Sequence, residues 1–309
     1  MHHFRTRHHE FDGFSDYYER EVRPFLIERD DTRRSSVRTG LGIGVVSVIL
    51  AAVIAGYVFW KYDNPAIALF LVALGPMGAL GAFAYFTHSI RMEVKEKIVG
   101  AIVGYVGWSF VSDVPDYDMS DFARLFLLPT RYDRVSFEDR LSGEAHGAAF
   151  HSVEAHMEKR ERDGDGSDTW RTVFRGQLMV LDFPTKTFGR TVVLRDKRRL
   201  NKRKKGDMKR IGLADPVFEN AFEAYGTDQV EGRVILDPAF MQRIVDLEQA
   251  VSGKNIQFGF NNDQLLISVE TGNQFEIGTL FKSLDTPDRA QKILDEVAAL
   301  FDVVDTLLK

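Results

Sequence analysis

The chain has 309 residues, 44% of them hydrophobic, with a formal net charge of −5 and no cysteine. The lack of thiols excludes disulfides, zinc–thiolate centres, iron–sulfur clusters and a cysteine nucleophile, while so mild an acidity excludes no class of partner. Mean hydropathy is −0.18 despite two long apolar runs, so the remainder is polar enough to form a soluble domain.

Residues 1–40 carry eight acidic and eight basic side chains. His2, His3, His8 and His9 gather imidazoles that could ligate a metal, but nothing nearby fixes a geometry, and a disordered tail is expected. Phe14, Tyr17, Tyr18, Val22, Phe25 and Leu26 recur at three- and four-residue spacing. This pattern predicts a short amphipathic helix, lying on a membrane surface or docked on the C-terminal domain.

Two apolar runs follow, 41–60 and 65–86, separated by Lys61-Tyr62-Asp63-Asn64. Each has about the 20 residues a helix needs to cross a hydrocarbon core, so the stretch 41–89 reads as a transmembrane helical hairpin. The first run starts too late and is too long for a cleaved signal peptide. Arg33, Arg34 and Arg38 precede the hairpin and Arg91, Lys95 and Lys97 follow it, against Lys61 alone in the linker. Basic residues stay on the cytoplasmic side, so both termini are expected in the cytosol. Gly40, Gly44, Ala51, Ala55, Gly75, Gly78, Ala79 and Ala82 place small residues at four-residue spacing. Such faces let helices in lipid approach closely, either within the hairpin or between copies of the chain. Gly75-Pro76 is expected to kink the second helix. No ionisable residue lies mid-run, which argues against a transport or proton path.

Ile90, Val94, Ile98, Ile102 and Tyr105 continue a helical stripe, the apolar stretch 98–111 reads as a buried or interfacial helix, and 119–128 as one more short helix. From about residue 147 alternation takes over: Phe150, Val153, Ala155 and Met157, then 173–183 and 191–194, read as strands. The loop Asp163-Gly-Asp-Gly-Ser-Asp168 fails the spacing of a calcium loop and reads as a hairpin turn. Asp215-Pro216, Asp237-Pro238 and Thr286-Pro287 each set an N-cap acceptor before a proline, starting three helices. The second should bury Phe240, Met241, Ile244, Val245, Leu247 and Val251 and stop near Gly253; the third should bury Ile293, Leu294, Val297, Leu300, Phe301, Val304 and Leu308. Between these two helices, 256–260 and 265–269 alternate around Asn261-Asn262-Asp263, a hairpin signal. The expected organisation is a polar segment (1–40), the hairpin (41–89), a helical connector (90–146) and a cytosolic α+β domain (147–309) of antiparallel strands with helices on one face.

The residues Phe174-Arg-Gly176, Asp182-Phe183, Phe188-Gly189, Thr191-Val-Val193, Asp215-Pro-Val-Phe218, Phe222, Tyr225, Asp228-Gln-Val-Glu231, Arg233, Leu236-Asp-Pro238 and Met241 carry a resemblance. With Phe137-Glu-Asp139 and Ser142-Gly143, they resemble a bacterial family of uncharacterised two-span membrane proteins, known only as a domain of unknown function. Gly232 stands where that family usually has alanine, and Pro184 where it usually has asparagine. The resemblance implies a bacterial membrane location and supplies no active site.

Three clusters compete as sites. The stretch 195–210 holds ten basic residues, Arg195, Lys197, Arg198, Arg199, Lys202, Arg203, Lys204, Lys205, Lys209 and Arg210, among sixteen. Such a run is a solvated loop or, beneath an anionic leaflet, a surface for lipid head groups worth about 1 kcal/mol per basic side chain. Without an aromatic to stack on bases, nucleic acid is disfavoured. His146, His151 and His156 are spaced by five, so strand alternation turns His151 away from the others. Asp228, Glu231 and Asp237 with Arg233 could serve acid–base chemistry, but capping and ion pairing explain them as well. No nucleophile elbow, phosphate-cradling glycine loop or metal-ligand helix appears, and no metal or cofactor is implied. The expectation is a membrane-anchored, non-catalytic binding or scaffolding module with a protein partner, a second copy or lipid as its ligand. The alternative is a membrane-bound enzyme acting on a lipid or envelope precursor, with Asp228, Glu231 and Arg233 as its nominees.

Overall fold

The computed structural model describes residues 2–6, 8–162, 164, 166–183, 187, 189–196, 206–250 and 254–308. The chain divides into two units, Met1–Ile102 with Glu276–Ile293, and Val103–Phe275 with Leu294–Lys309.

In the first unit, α1 (Phe14–Tyr17) and a π-helical turn (Tyr18–Val22) run into α2 (Arg23–Tyr62), and α3 (Pro65–Tyr105) follows after a two-residue reversal. The reversal is locally encoded. Asp63 takes a left-handed conformation and its amide closes α2 on the Phe59 carbonyl at 2.9 Å. Asn64 then caps α3 by accepting from the Ile67 amide at 3.2 Å, with Pro65 in first position, where no donor is needed. The two helices have 40 and 41 residues, about 60 Å each at 1.5 Å per residue. That is twice a hydrocarbon core of about 30 Å, so each extends well beyond its apolar run. Both are long and apolar enough to cross a membrane. Pro76 lies inside α3, which continues through it as one helix.

The N-terminal residues are not the disordered tail their charge suggests. Phe4, Phe11, Phe14 and Tyr18 are buried, with Phe4 edge-on to Tyr18 at 4.7 Å and to Phe14 at 5.5 Å. The Phe4 amide donates to Ser15 Oγ at 3.0 Å. The clustered rings of Phe4, Phe14 and Tyr18 offset the entropy of ordering a short arm. The predicted amphipathic helix buries Phe14, Tyr18, Val22 and Leu26, whereas Tyr17 and Phe25 stay half-buried. It packs on the C-terminal segment of its own unit: Arg23 Nε donates to Asp285, the Leu284 amide donates to Asp30 at 3.0 Å, and Arg33 reaches the Leu280 carbonyl at 2.7 Å.

The second unit is one nine-stranded sheet, antiparallel throughout and ordered β1-β2-β3-β4-β9-β8-β5-β7-β6. Its strands are β1 (Ser109–Val114), β2 (Arg134–Ala145), β3 (Ala148–Arg162), β4 (Asp168–Asp182), β5 (Arg190–Arg195), β6 (Lys209–Ile211), β7 (Phe222–Gly226), β8 (Lys254–Asn261) and β9 (Gln264–Glu270). The helices are α4 (Ser120–Arg124), α5 (Pro216–Ala221), α6 (Gln229–Ile235), α7 (Pro238–Ala250) and the later turns of α8 (Pro287–Leu308). Register separates two faces. Val153, pairing across to Leu178 and onward to Ser268, belongs to a core completed by Phe122, Leu125 and Leu127, with Ser268 Oγ donating to the Leu127 carbonyl at 2.8 Å. The row Phe150, Leu181, Leu265 and Phe260 lies on the other face. There Phe240 of α7 meets Phe260 at 5.7 Å, and Phe301 of α8 stacks on Trp108, which meets Phe150. The fold is α+β as expected.

The stretch 90–146 is not a helical connector throughout. Helix α3 stops at Tyr105, because Gly107 takes a left-handed conformation and Trp108 closes the end on the Val103 carbonyl at 3.0 Å. The apolar residues after it are β1, and residues 134–145 are β2. The capped helices begin where predicted; Leu308 is half-buried, and Val251 and Gly253 lie outside the described residues.

Candidate functional site

The small residues of the hairpin meet the opposite helix. A β-carbon on Gly40 would lie 3.0 Å from Phe83 Cα, on Gly44 3.1 Å from Ala79 Cβ, and on Gly75 3.0 Å from both Ala51 Cβ and Val48 Cα. Gly78 is filled in by Ser47, whose hydroxyl donates to the Gly75 carbonyl at 3.2 Å. Ala55 is buried and Ala82 half-buried, whereas Gly42, Gly56 and Gly81 face open space. Close backbone approach is therefore spent within the hairpin.

At the end of the hairpin opposite its turn, charges are buried in pairs. Asp30 and Arg33 are each 7% exposed and bond at 2.7 Å. Burial opposes ionisation of Asp30, but hydrogen bonds from Arg33 and the Leu284 amide, with the charges of Arg33 and Arg34, outweigh it and bring its pKa down to about 2. Arg289 donates to the Thr279 carbonyl at 2.6 Å and also to that of Ile277; burial, then the nearby cations Arg33 and Arg91, lower its pKa. Four hydrogen bonds thus tie the loop around 277–284 to Asp30, Arg33 and Arg289.

Of the basic stretch, Lys197, Arg198, Arg199, Lys202, Arg203, Lys204 and Lys205 lie outside the described residues. Arg195 is paired with Glu248 and Arg210 with Glu219 at 2.8 Å, while Lys209 is exposed on edge strand β6. The acidic cluster is used structurally. Asp228 caps α6 by accepting from Val230 and Glu231, Asp237 caps α7 by accepting from Phe240 at 2.7 Å, and Glu231 accepts from the Gly189 amide at 2.8 Å. Arg233 reaches the Gly212 carbonyl. The three histidines are separate: His146 meets Asp305 at 2.6 Å, His151 meets Tyr117 at 3.0 Å and His156 meets Thr172 at 2.8 Å. His2 meets Asp285 and His9 meets Glu10. Among the described residues no three metal-ligating side chains gather.

A cluster that spacing alone did not reveal lies on β2, β3 and β4. Arg175 bridges Glu154 at 2.9 Å and Glu138 at 3.1 Å, and the other Glu154 oxygen accepts from the Gln274 amide at 3.0 Å. Glu154 is fully buried; burial pushes its carboxyl pKa up, and the hydrogen bonds from Gln274 and Arg175 only partly counter it. An open groove of about 340 Å³ runs past Arg175, Glu270 and Thr271. Beside it, Gly176 is required, since a side chain there would strike the Val269 carbonyl. With Glu154 sealed beneath its own partners, the arrangement staples three strands instead of offering an acid to a substrate. The signal for it was the pair of motifs Phe137-Glu-Asp139 and Phe174-Arg-Gly176, which the fold sets on either side of β3.

Residues 172–309 match the model of a family described as a protein of unknown function, DUF3137. The match takes in the motifs from Phe174 to Met241 and begins after Phe137-Glu-Asp139. No curated protein matches the chain. Among solved structures it is similar to the crystal structure of the mycobacterial trehalose monomycolate transport factor A, TtfA, at 14% identity and a TM-score of 0.33, over 69% of this chain and 96% of that one.

Proposed function

We propose that this chain, whose residues 172–309 carry a domain of unknown function, is a membrane-anchored, non-catalytic binding or scaffolding module of a bacterial inner membrane, with both termini in the cytosol. The exposed apolar surface of the hairpin carries the reading: Leu69 is 73%, Leu80 72%, Met77 67% and Phe70 66% exposed. So large an uninterrupted apolar surface is stable in a bilayer and not in water. The residues nominated for catalysis cap helices or tie loops, which favours binding over chemistry. The basic stretch 195–210 would then sit beneath an anionic leaflet and dock the domain on it.

Trypsin cleavage of the full chain, reconstituted in neutral and in anionic nanodiscs, tests this. Cleavage at Lys202–Lys205 is expected to slow several-fold in anionic discs at low salt and to recover at high salt, because salt screens such contacts. Equal cleavage in both discs at all salt concentrations would remove lipid docking and leave a protein partner as the ligand.

A further inference from the structure

We propose that the loop 278–283 is a second membrane contact, in which Phe281 inserts at the boundary between lipid head groups and acyl chains and Lys282 faces the phosphates. This rests on the hairpin spanning a bilayer and adds a site outside both apolar runs.

Level and exposure carry it. The Phe281 ring stacks on Phe83 at 5.1 Å with 12° between planes. Phe83 sits three residues inside the end of the second run, about 4.5 Å along the helix, and opposite Gly40, the residue before the first run. Two independent markers thus put Phe83 at the edge of the hydrocarbon, and Phe281 with it. Yet Phe281 remains 61% exposed. Among the described residues, the other phenylalanines exposed to that order, Phe59 and Phe70, lie in the apolar runs. Tyr85, 78% exposed, and Phe86 sit at the same level, and aromatic side chains favour that depth.

The loop is also built to present the ring. Leu280 points inward and is buried, its carbonyl held by Arg33, while the Phe281 amide donates to Thr279 Oγ1 at 3.2 Å and the Leu284 amide is fixed by Asp30. An apolar ring held outward on a rigid loop loses little freedom on insertion. Lys282, exposed next to it, has a long stem that reaches the head groups.

The chain has no native cysteine, so one introduced thiol gives one label. Nitroxide on F281C is compared with M77C, mid-run, and V217C, exposed on α5, in the full chain reconstituted in liposomes of phosphatidylcholine and phosphatidylglycerol. The ratio of oxygen to nickel-chelate accessibility is expected to be highest at M77C, intermediate and several-fold above V217C at F281C. A K282C label, which keeps Phe281 in place, is expected to read a shallow depth too. A water-like ratio at both loop positions with M77C deep would overturn the proposal and leave the spanning hairpin standing. A water-like ratio at M77C would remove the hairpin reading and the loop with it.

Discussion

The hairpin and the sheet solve opposite problems. In α2 and α3 between residues 41 and 86, large apolar side chains point outward while Gly44, Gly75 and Gly78 pack inward; in the sheet, Phe258, Leu178 and Met157 are sealed inside. The hydrophobic effect drives the second arrangement and would give nothing to the first in the bilayer we propose for it. Where the hairpin helices leave the apolar runs, a third pattern appears: Asp30, Arg33 and Arg289 are buried as bonded charges. One chain thus carries three packing rules, each matched to its surroundings.

The contrast can be broken at its extremes. Phe258→Ala, at a fully buried ring, is expected to cost about 3–5 kcal/mol in denaturant unfolding. An alanine at Leu69, 73% exposed, should leave that transition unmoved. Conversely, Met77→Arg is expected to cost about 2.5–3.5 kcal/mol in membrane insertion, read as loss from the membrane fraction, although a surface arginine on a soluble helix would be tolerated.

The buried charges give a pH dependence. The Asp30 carboxyl falls from 3.8 to about 2 on folding, so the native state holds its proton less tightly than the unfolded chain. Its contribution, about 2 kcal/mol, is complete above pH ~4 and is lost as pH falls from ~4 to ~2. Wild type minus Asp30→Asn, followed by thermal unfolding across that window, isolates it. A difference that does not shrink with acid would contradict the pairing. The smallest effect sharpens the lipid-facing rule. Gly75→Val should weaken helix pairing by about 1–2 kcal/mol through overpacking against Ala51 and Val48, whereas Gly81→Val, which meets open space, should not, as thermal stability in detergent would report.

Much of this was legible. Unbroken apolar runs, the caps at Asp215 and Asp237, and the Asn-Asn-Asp hairpin are local signals, and the structure keeps them. What was not legible depended on partners distant in sequence. Phe4 looks like a stray aromatic in a charged tail until Phe14 and Tyr18 are folded beside it. The stretch after Tyr105 stays apolar, so periodicity carried the helix on, and only the positive φ at Gly107 ends it. Strand β2 was hidden because its register shifts between Glu138 and Leu141, where Asp139 adopts φ 56° and alternation fails. The short helix α6 was obscured by reading Asp228 and Glu231 as a cluster of charge before reading them as a cap. Among the clusters, the four-residue spacing of small residues is visible in the chain itself, whereas Glu138, Glu154 and Arg175 belong to three strands that only the sheet brings together.

We propose a hairpin that crosses the membrane and returns, with both of its ends in the cytosol. In cells expressing single-cysteine variants, a membrane-impermeant maleimide should label Tyr62→Cys from outside, and Ser35→Cys and Val217→Cys only after permeabilisation. Labelling of all three alike, or protection of Tyr62→Cys on intact cells with Ser35→Cys exposed, would contradict it.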